Sequence, residues 1–199
     1  QALLCVTVNV EALWTPFECM SKGFCFFERG EFLMVITGEE LLRANEKLAG
    51  KGPHKVIEWA SRRFGDKLTL ASSFGGLSGA VVLDIAVRTD PRIAVFYLDT
   101  EFLFEETYLY RDAVSERYGI KPIAFKSRWN PDQQAEEFGP ELWKRDPDMC
   151  CQLRKVEPNG RALESYDAWI TGLRRDQSAT RSSINLVDWD SKFDLVKIN

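Results

Sequence analysis

The sequence holds a single histidine, His54, in 199 residues. It lies between Pro53 and Lys55 near a helix start and reads as an exposed residue, so no histidine-based acid–base mechanism is expected. Positive charge is not in excess either. Twenty-six Lys and Arg stand against 30 Asp and Glu, a net charge of −4 with a pI near 5.2, which excludes a general polyanion surface and with it a non-specific nucleic-acid binder. No run reaches the roughly 18 uninterrupted apolar residues of a membrane helix, since the longest candidates are broken by Asp84, Arg88 or Glu28, and no membrane partner is expected. The N-terminus lacks the basic n-region and small-residue cleavage site of a secretory signal, which points to a cytoplasmic protein. Also missing are the lysine of a Walker A loop, a G-x-G-x-x-G run, internal repeats and low-complexity stretches.

What is present suits a folded domain. Apolar residues make up 45% and aromatics 12%, while 28% charged residues lie outside the regime of disordered chains. At about 150 residues per domain, the length gives one domain, or one plus a tail. Five cysteines are an odd number, and in a reducing compartment such residues serve as buried thiols, metal ligands or redox groups more often than as disulfides. Three of them, Cys5, Cys19 and Cys25, fall in residues 1–36, an apolar stretch without a clean period, broken by Pro16, Gly23 and Gly30. Its role is not readable. The other two are adjacent, Cys150-Cys151.

From Thr37 the pattern becomes periodic. Thr37-Gly38-Glu39-Glu40 resembles a capping box leading into Leu41, Leu42, Ala44 and Leu48 at helical spacing. A second helical stretch carries Val56, Ile57, Trp59, Ala60 and Phe64, and closes at Gly65. Strands are expected at 68–74, 93–98, 122–125 and 166–172, helices at 80–88, 104–118 and from Pro131 to Trp143, and two short strands within 184–198. Alternating β and α with nearly all-apolar strands predicts an α/β fold, a mostly parallel sheet flanked by helices in a Rossmann-like arrangement. Ligands of such sheets sit beyond the carboxyl ends of the strands.

Four stretches could carry chemistry there. Ser72-Ser73-Phe74-Gly75-Gly76-Leu77-Ser78-Gly79 joins a strand to a helix; glycines let backbone N–H groups approach an anion, serines add donors and the helix N-terminus adds a positive dipole end. An ordinary tight turn is the plainer reading. Leu98-Asp99-Thr100-Glu101 ends the second strand and faces the same crevice, although Asp99 or Thr100 could simply cap the next helix. Gly172-Leu173-Arg174-Arg175-Asp176-Gln177-Ser178-Ala179-Thr180-Arg181 puts three arginines after another strand, and guanidinium forks match phosphate and sulfate oxygens; a solvated loop is the alternative. Last, Cys150-Cys151 precedes Gln152-Leu153-Arg154-Lys155. Adjacent thiolates can both bind a metal or cluster, and Lys155 would lie one helical turn beyond Cys151, but two buried thiols at a helix start fit as well.

Together, Ser72-Ser73-Phe74-Gly75, Leu98-Asp99-Thr100, Cys150-Cys151 with Arg154-Lys155-Val156-Glu157-Pro158, and Thr171-Gly172-Leu173-Arg174-Arg175-Asp176-Gln177-Ser178 resemble the assimilatory adenylyl-sulfate reductases. Order and spacing are similar to the wider phosphoadenylyl- and adenylyl-sulfate reductase family from about residue 38 to 199. The resemblance implies an adenine nucleotide α-hydrolase-like fold and reduction of adenosine 5′-phosphosulfate to sulfite and AMP: a cysteine thiolate attacks the sulfur, AMP leaves, and thioredoxin or a glutaredoxin-like donor reduces the S-sulfocysteine. By the same resemblance Ser72, Ser73, Phe74 and Gly75 hold the nucleotide and Leu98, Asp99 and Gly172 line the adenosine. Arg174, Arg175 and Arg181 face the phosphosulfate, and Lys155 lies between substrate and cluster. Cys150 and Cys151 match two ligands of a [4Fe-4S] cluster, a pair that favours adenylyl sulfate over its 3′-phosphorylated relative.

Two features depart from the family pattern. Gly76-Leu77-Ser78-Gly79 stands where many relatives place an acidic pair. The downstream C-x-x-C and the Glu-Cys-Gly-x-His nucleophile of the family do not occur in the 199 residues, so two of four cluster ligands and no nucleophilic cysteine are expected here. The alternatives are a phosphoadenylyl-sulfate reductase, a nucleotide-binding segment without turnover, and an ATP pyrophosphatase of the same fold. No motif fixes the oligomeric state; a homo-oligomer is compatible with it.

Overall fold

The structure, a computed structural model, describes residues 36–199. Cys5, Cys19 and Cys25, and the expectations for the N-terminal segment apart from Ile36, lie outside the described residues. The chain divides into two units between residues 43 and 44. Of the first, the described part is the start of helix α1 (Gly38–Leu48). Here the expected capping box forms: the Glu40 N–H donates to Thr37 Oγ1 (3.1 Å), and Thr37 N–H donates back to the Glu40 carboxylate (2.8 Å).

The second unit is built on six strands, β1 (Leu68–Ala71), β2 (Ala94–Asp99), β3 (Ile123–Lys126), β4 (Ala168–Ile170), β5 (Val187–Asp190) and β6 (Leu195–Ile198), in the order β3-β2-β1-β4-β6-β5. All neighbours are parallel except β5 with β6, which form an antiparallel hairpin at one edge. The mostly parallel sheet is as expected. Its central strands are buried on both faces: Leu68, Leu70, Val95, Phe96 and Ile170 are almost wholly inaccessible, as parallel strands covered by helices require. Thr69 is buried too, its hydroxyl donating to the Ala94 carbonyl (3.0 Å).

Helices α2 (Pro53–Phe64), α3 (Leu77–Thr89), α4 (Glu105–Tyr118), α5 (Pro131–Phe138), α6 (Leu142–Arg145), α7 (Pro147–Cys151) and α8 (Glu157–Leu163) complete the unit. Helix α2 starts on Pro53, whose fixed φ suits the first turn. Helix α5 is capped by Asn130 and Gln133, which exchange side-chain and backbone hydrogen bonds at 2.9 and 3.0 Å. Helix α3 ends at Asp90, whose carboxylate accepts from Ser61 Oγ (2.5 Å) and from the Arg92 guanidinium (2.9 and 3.0 Å).

Several boundaries differ from those read in the sequence. The first strand stops at Ala71 rather than residue 74, although the Ser72 N–H still reaches the Phe96 carbonyl at 2.9 Å. Helix α3 begins three residues early, at Leu77. The single helix expected from Pro131 to Trp143 is two, because Gly139-Pro140 interrupts it.

The largest difference lies after the cysteine pair. Residues Gln152–Val156 form one wide, π-helical turn between α7 and α8, with the Glu157 N–H bonded to the Gln152 carbonyl, five residues back. Pro158 supplies the reason: in an ordinary helix its ring would press on the Arg154 carbonyl and it offers no N–H. Widening the preceding turn by one residue relieves the clash. Lys155 consequently is not at a simple α-helical turn from Cys151; it is exposed on the wide turn, whereas Arg154 beside it is 1% exposed.

Candidate nucleotide site

The strand order reverses between β1 and β4. Chain progress runs β1, β2, β3 to one side and β4, β6 to the other, and the crevice beyond the carboxyl ends of β1 and β4 is where such sheets receive ligands. The loops leaving these two strands meet. A Cβ on Gly172 would stand 3.3 Å from the backbone nitrogen of Gly79 and 3.4 Å from its Cα, so the absence of a side chain is what lets the chain after β4 lie against the start of α3. Two residues on, Arg174 Nη1 donates to Ser78 Oγ at 2.8 Å.

The loop after β1 is held open by its own side chains. Ser72 Oγ accepts from the Phe74 N–H and Ser73 Oγ from the Gly75 N–H, both at 3.4 Å. Phe74 takes a left-handed backbone, φ +50°, and its buried ring packs edge-on against Tyr97 with centroids 5.7 Å apart. Burial of this ring offsets the conformational strain of a non-glycine residue there. Gly76, extended, leads into α3, which has no side-chain cap and no acid in its first turn. Its N–H groups and dipole end are therefore available to an anion.

Arg174 and Arg175 are exposed and Arg181 is half-buried. Arg174 also pairs with Asp176 (2.9 Å), with both side chains more than half exposed. Such a pair is worth under about 1 kcal/mol, against about 1.5–3 kcal/mol for a charge-assisted hydrogen bond to phosphate, so a ligand can recruit Arg174. Arg175 Nε donates to the Ile184 carbonyl (3.0 Å), and Arg181 donates to Gln177 within its own loop. Of the three, Arg174 is the one tied across to the first loop. A cleft of about 370 Å³ lined by Leu173, Arg175, Ile184, Leu186 and Asn199 opens beside it, at the ends of β4 and β6.

Asp99, at the end of β2, is buried and caps no helix; Phe104 precedes α4. Its Oδ1 accepts from the Glu101 N–H (3.0 Å) and the Tyr108 hydroxyl (2.6 Å), and Lys126 Nζ lies 3.4 Å from Oδ2. Burial pushes the carboxyl up, but the Tyr108 hydroxyl, the Glu101 N–H and the Lys126 ammonium together hold it below the usual carboxylate range. Tyr108 responds oppositely: burial and then its bond to Asp99 push the phenol up to about 12. Thr100 Oγ1 accepts from the Phe102 N–H at 3.3 Å. Leu98 packs its side chain on the cluster of Phe96, Ala162, Leu163 and Leu195.

Lys126 also reaches Glu101 (3.3 Å), whose other oxygen accepts from Arg154 Nη1 (3.1 Å). Arg154 is further held by Gln134 Oε1 (2.6 Å) and lies over the Phe102 ring at 5.0 Å. Sequence reasoning missed Tyr108, Lys126, Gln134 and the roles of Glu101 and Arg154. Position at a strand end was a usable signal for Lys126 and Glu101; nothing local marked the others. Among the described residues no hydrogen bond or ion pair ties Lys155 to this rim.

Cys150 is buried and Cys151 exposed at the end of α7, both as free thiols. A [4Fe-4S] cluster takes four thiolates. The described residues contain these two, and among them no group of three or more His, Cys, Asp or Glu could hold a metal. By themselves they do not complete the ligand set.

A mostly parallel six-stranded sheet flanked by helices, with a Gly/Ser loop and an uncapped helix start at its switch point, is a fold of the adenine nucleotide α-hydrolase-like class. The model of the phosphoadenosine phosphosulfate reductase domain matches residues 67–199, and the chain belongs to that family. It is 41% identical over 157 residues to an adenosine 5′-phosphosulfate reductase of Shouchella clausii, covering 78% of this chain and 65% of the relative. It is 43% identical over 155 residues to the one of Halalkalibacterium halodurans, covering 77% and 67%. The chain thus spans about two thirds of the length of these curated relatives. The crystal structure of phosphoadenylyl-sulfate (PAPS) reductase from Candida auris, a phosphate complex, superposes with a TM-score of 0.72 at 27% identity, covering 83% of this chain and 79% of that one. Among the described residues, no helix is long and apolar enough to cross a membrane.

Proposed function

We propose that this chain binds adenosine 5′-phosphosulfate at the β1–β4 crevice, as part of a cytoplasmic reductase that yields sulfite and AMP with a thioredoxin- or glutaredoxin-like dithiol as electron donor. The observation that carries the reading is the meeting of the two loops, Gly172 against Gly79 and Arg174 on Ser78. It brings the backbone donors at the start of α3, a serine hydroxyl and a guanidinium to one stretch of the rim. Phosphate oxygens would take the N–H groups at the start of α3 and Arg174, and the adenosine would lie toward the ends of β1 and β2. As AMP departs, those same donors stabilise the charge on its phosphate.

Cys150 and Cys151 are two expected ligands of a [4Fe-4S] cluster, which iron and sulfide analysis tests. The adjacent pair, together with the relatives named for adenosine 5′-phosphosulfate, favours that substrate over the 3′-phosphorylated one.

Calorimetric titration with AMP should show one site. Arg174→Ala should weaken it by about 1.5–3 kcal/mol, a factor of roughly 10 to 150. A folded chain that binds no AMP would end the reading. Tighter binding of adenosine 3′,5′-bisphosphate than of AMP would move the substrate to phosphoadenylyl sulfate. Sulfite release from adenosine 5′-phosphosulfate with dithiothreitol and thioredoxin separates a reductase from a nucleotide-binding segment without turnover.

A further inference from the structure

Arg154 is the largest fully buried side chain among the described residues. A cation so placed needs a counter-charge and hydrogen-bond acceptors for its donors. Gln134 takes one donor and Glu101 another, and Nη2 has no hydrogen-bond partner among the described residues. Glu101 is therefore the carboxylate that neutralises it, from a loop residue with left-handed backbone, φ +59°. The same carboxylate meets Lys126, and Lys126 meets Asp99, which Tyr108 holds. Two carboxylates and two cations thus form one continuous chain from the end of β2 to the wide turn that directly follows Cys151.

Lys126 is the exposed member, with about half its side chain accessible. It stands at the end of β3 beside Asp99 at the end of β2, the side toward which the adenosine is placed above, so a bound nucleotide would compete with Asp99 and Glu101 for its ammonium and would leave Glu101 to Arg154.

We propose that Glu101 is a positioning residue that links nucleotide occupancy of the rim to the placement of the Cys150-Cys151 segment, by bridging Lys126 and buried Arg154. This rests on the nucleotide reading above and adds to it a route by which the cysteine pair senses the bound substrate.

The rate of Cys151 alkylation by iodoacetamide, located by mass spectrometry, reads the link directly, with and without AMP at concentrations that saturate each protein by calorimetry. In the unaltered chain AMP should change the rate about fivefold or more, the lower end of ordinary coupling between sites. In Glu101→Gln, which keeps size and an acceptor but not the charge, the rate should be the same with and without AMP. Lys126→Met, on the surface, should lose the AMP effect likewise, and serves if Glu101→Gln fails to fold. AMP binding that leaves the Cys151 rate of the unaltered chain untouched overturns the link, as does an AMP effect fully retained in both variants, which would be direct shielding. Absence of AMP binding in the calorimeter overturns the functional reading and this inference together.

Discussion

Arg174 and Arg154 serve the same end of the same sheet, yet the first has a side chain 54% exposed beside an exposed Asp176, and the second is 2% exposed between Glu101 and Gln134. The β1–β4 side of the rim keeps its positive charge loosely paired, so it can be given to a ligand. On the β2–β3 side every charge already has a partner, and a ligand can only redistribute them. On the reading proposed above, binding and positioning fall to different halves of one rim, and the difference between them is one of burial rather than of residue type.

The contrast is most severely tested by Arg154→Ala. It leaves the Gln134 amide without its donor, opens a cavity and strips Glu101 of one cation. Because Glu101 stays a quarter exposed and keeps Lys126, the loss of stability should sit near the low end for a broken buried pair, about 3 kcal/mol by urea unfolding. Arg174→Ala should cost less than about 0.5 kcal/mol in the same experiment; equal losses would erase the distinction. Next comes Gly172→Ala, whose added Cβ presses on the Gly79 backbone. Overpacking there should cost roughly 1–2 kcal/mol of stability and weaken AMP by a larger factor than it lowers stability, since it parts the two loops.

The smallest effect concerns an intermediate case. Asp90 is largely buried while its partner Arg92 is exposed. The Arg92 hydrogen bonds, helped by Ser61 against burial, hold Asp90 at a pKa of about 2, below the usual 3.8. A depressed folded value means the contribution is complete above about pH 4 and disappears as pH falls toward 2. Allowing for solvent around Arg92, it amounts to about 1 kcal/mol. Asp90→Asn should flatten the pH dependence of stability between 4 and 2; an unchanged slope would assign it to other carboxylates.

The two halves also differ in how far they could be read beforehand. The β1 and β4 loops announce themselves locally: serines, glycines and arginines follow apolar runs, and strand ends are where such residues act. Arg154 gives no such sign, and Glu101 and Lys126 offer only a place at a strand end, without a hint of their partners. Arg154 and Glu101 are 53 positions apart and Lys126 and Glu101 are 25 apart, and a charged side chain in a polar stretch reads as solvated until the fold buries it. For Lys155 only the spacing differs: it is exposed on the wide turn and not one α-helical turn beyond Cys151. Pro158 contained the warning, because a proline within a helical run disturbs the turn before it. Leu98, read as lining the adenosine, turns out to pack its side chain on a hydrophobic cluster, which leaves its backbone at the strand end for that role.

One extra residue in a helical turn is a change of phase. An α-helix advances about 100° per residue, so inserting one swings everything upstream around the axis by that amount relative to everything downstream. Helix α8, packed beneath the sheet through Ala162 and Leu163, is the fixed end, and α7 is the end that is dialled. The compass bearing of both sulfur atoms is therefore set by an imino ring about two turns away, at Pro158. A lineage that lost this proline and closed the ladder would turn a different pair of neighbours to the side the cysteines now face, without altering either cysteine.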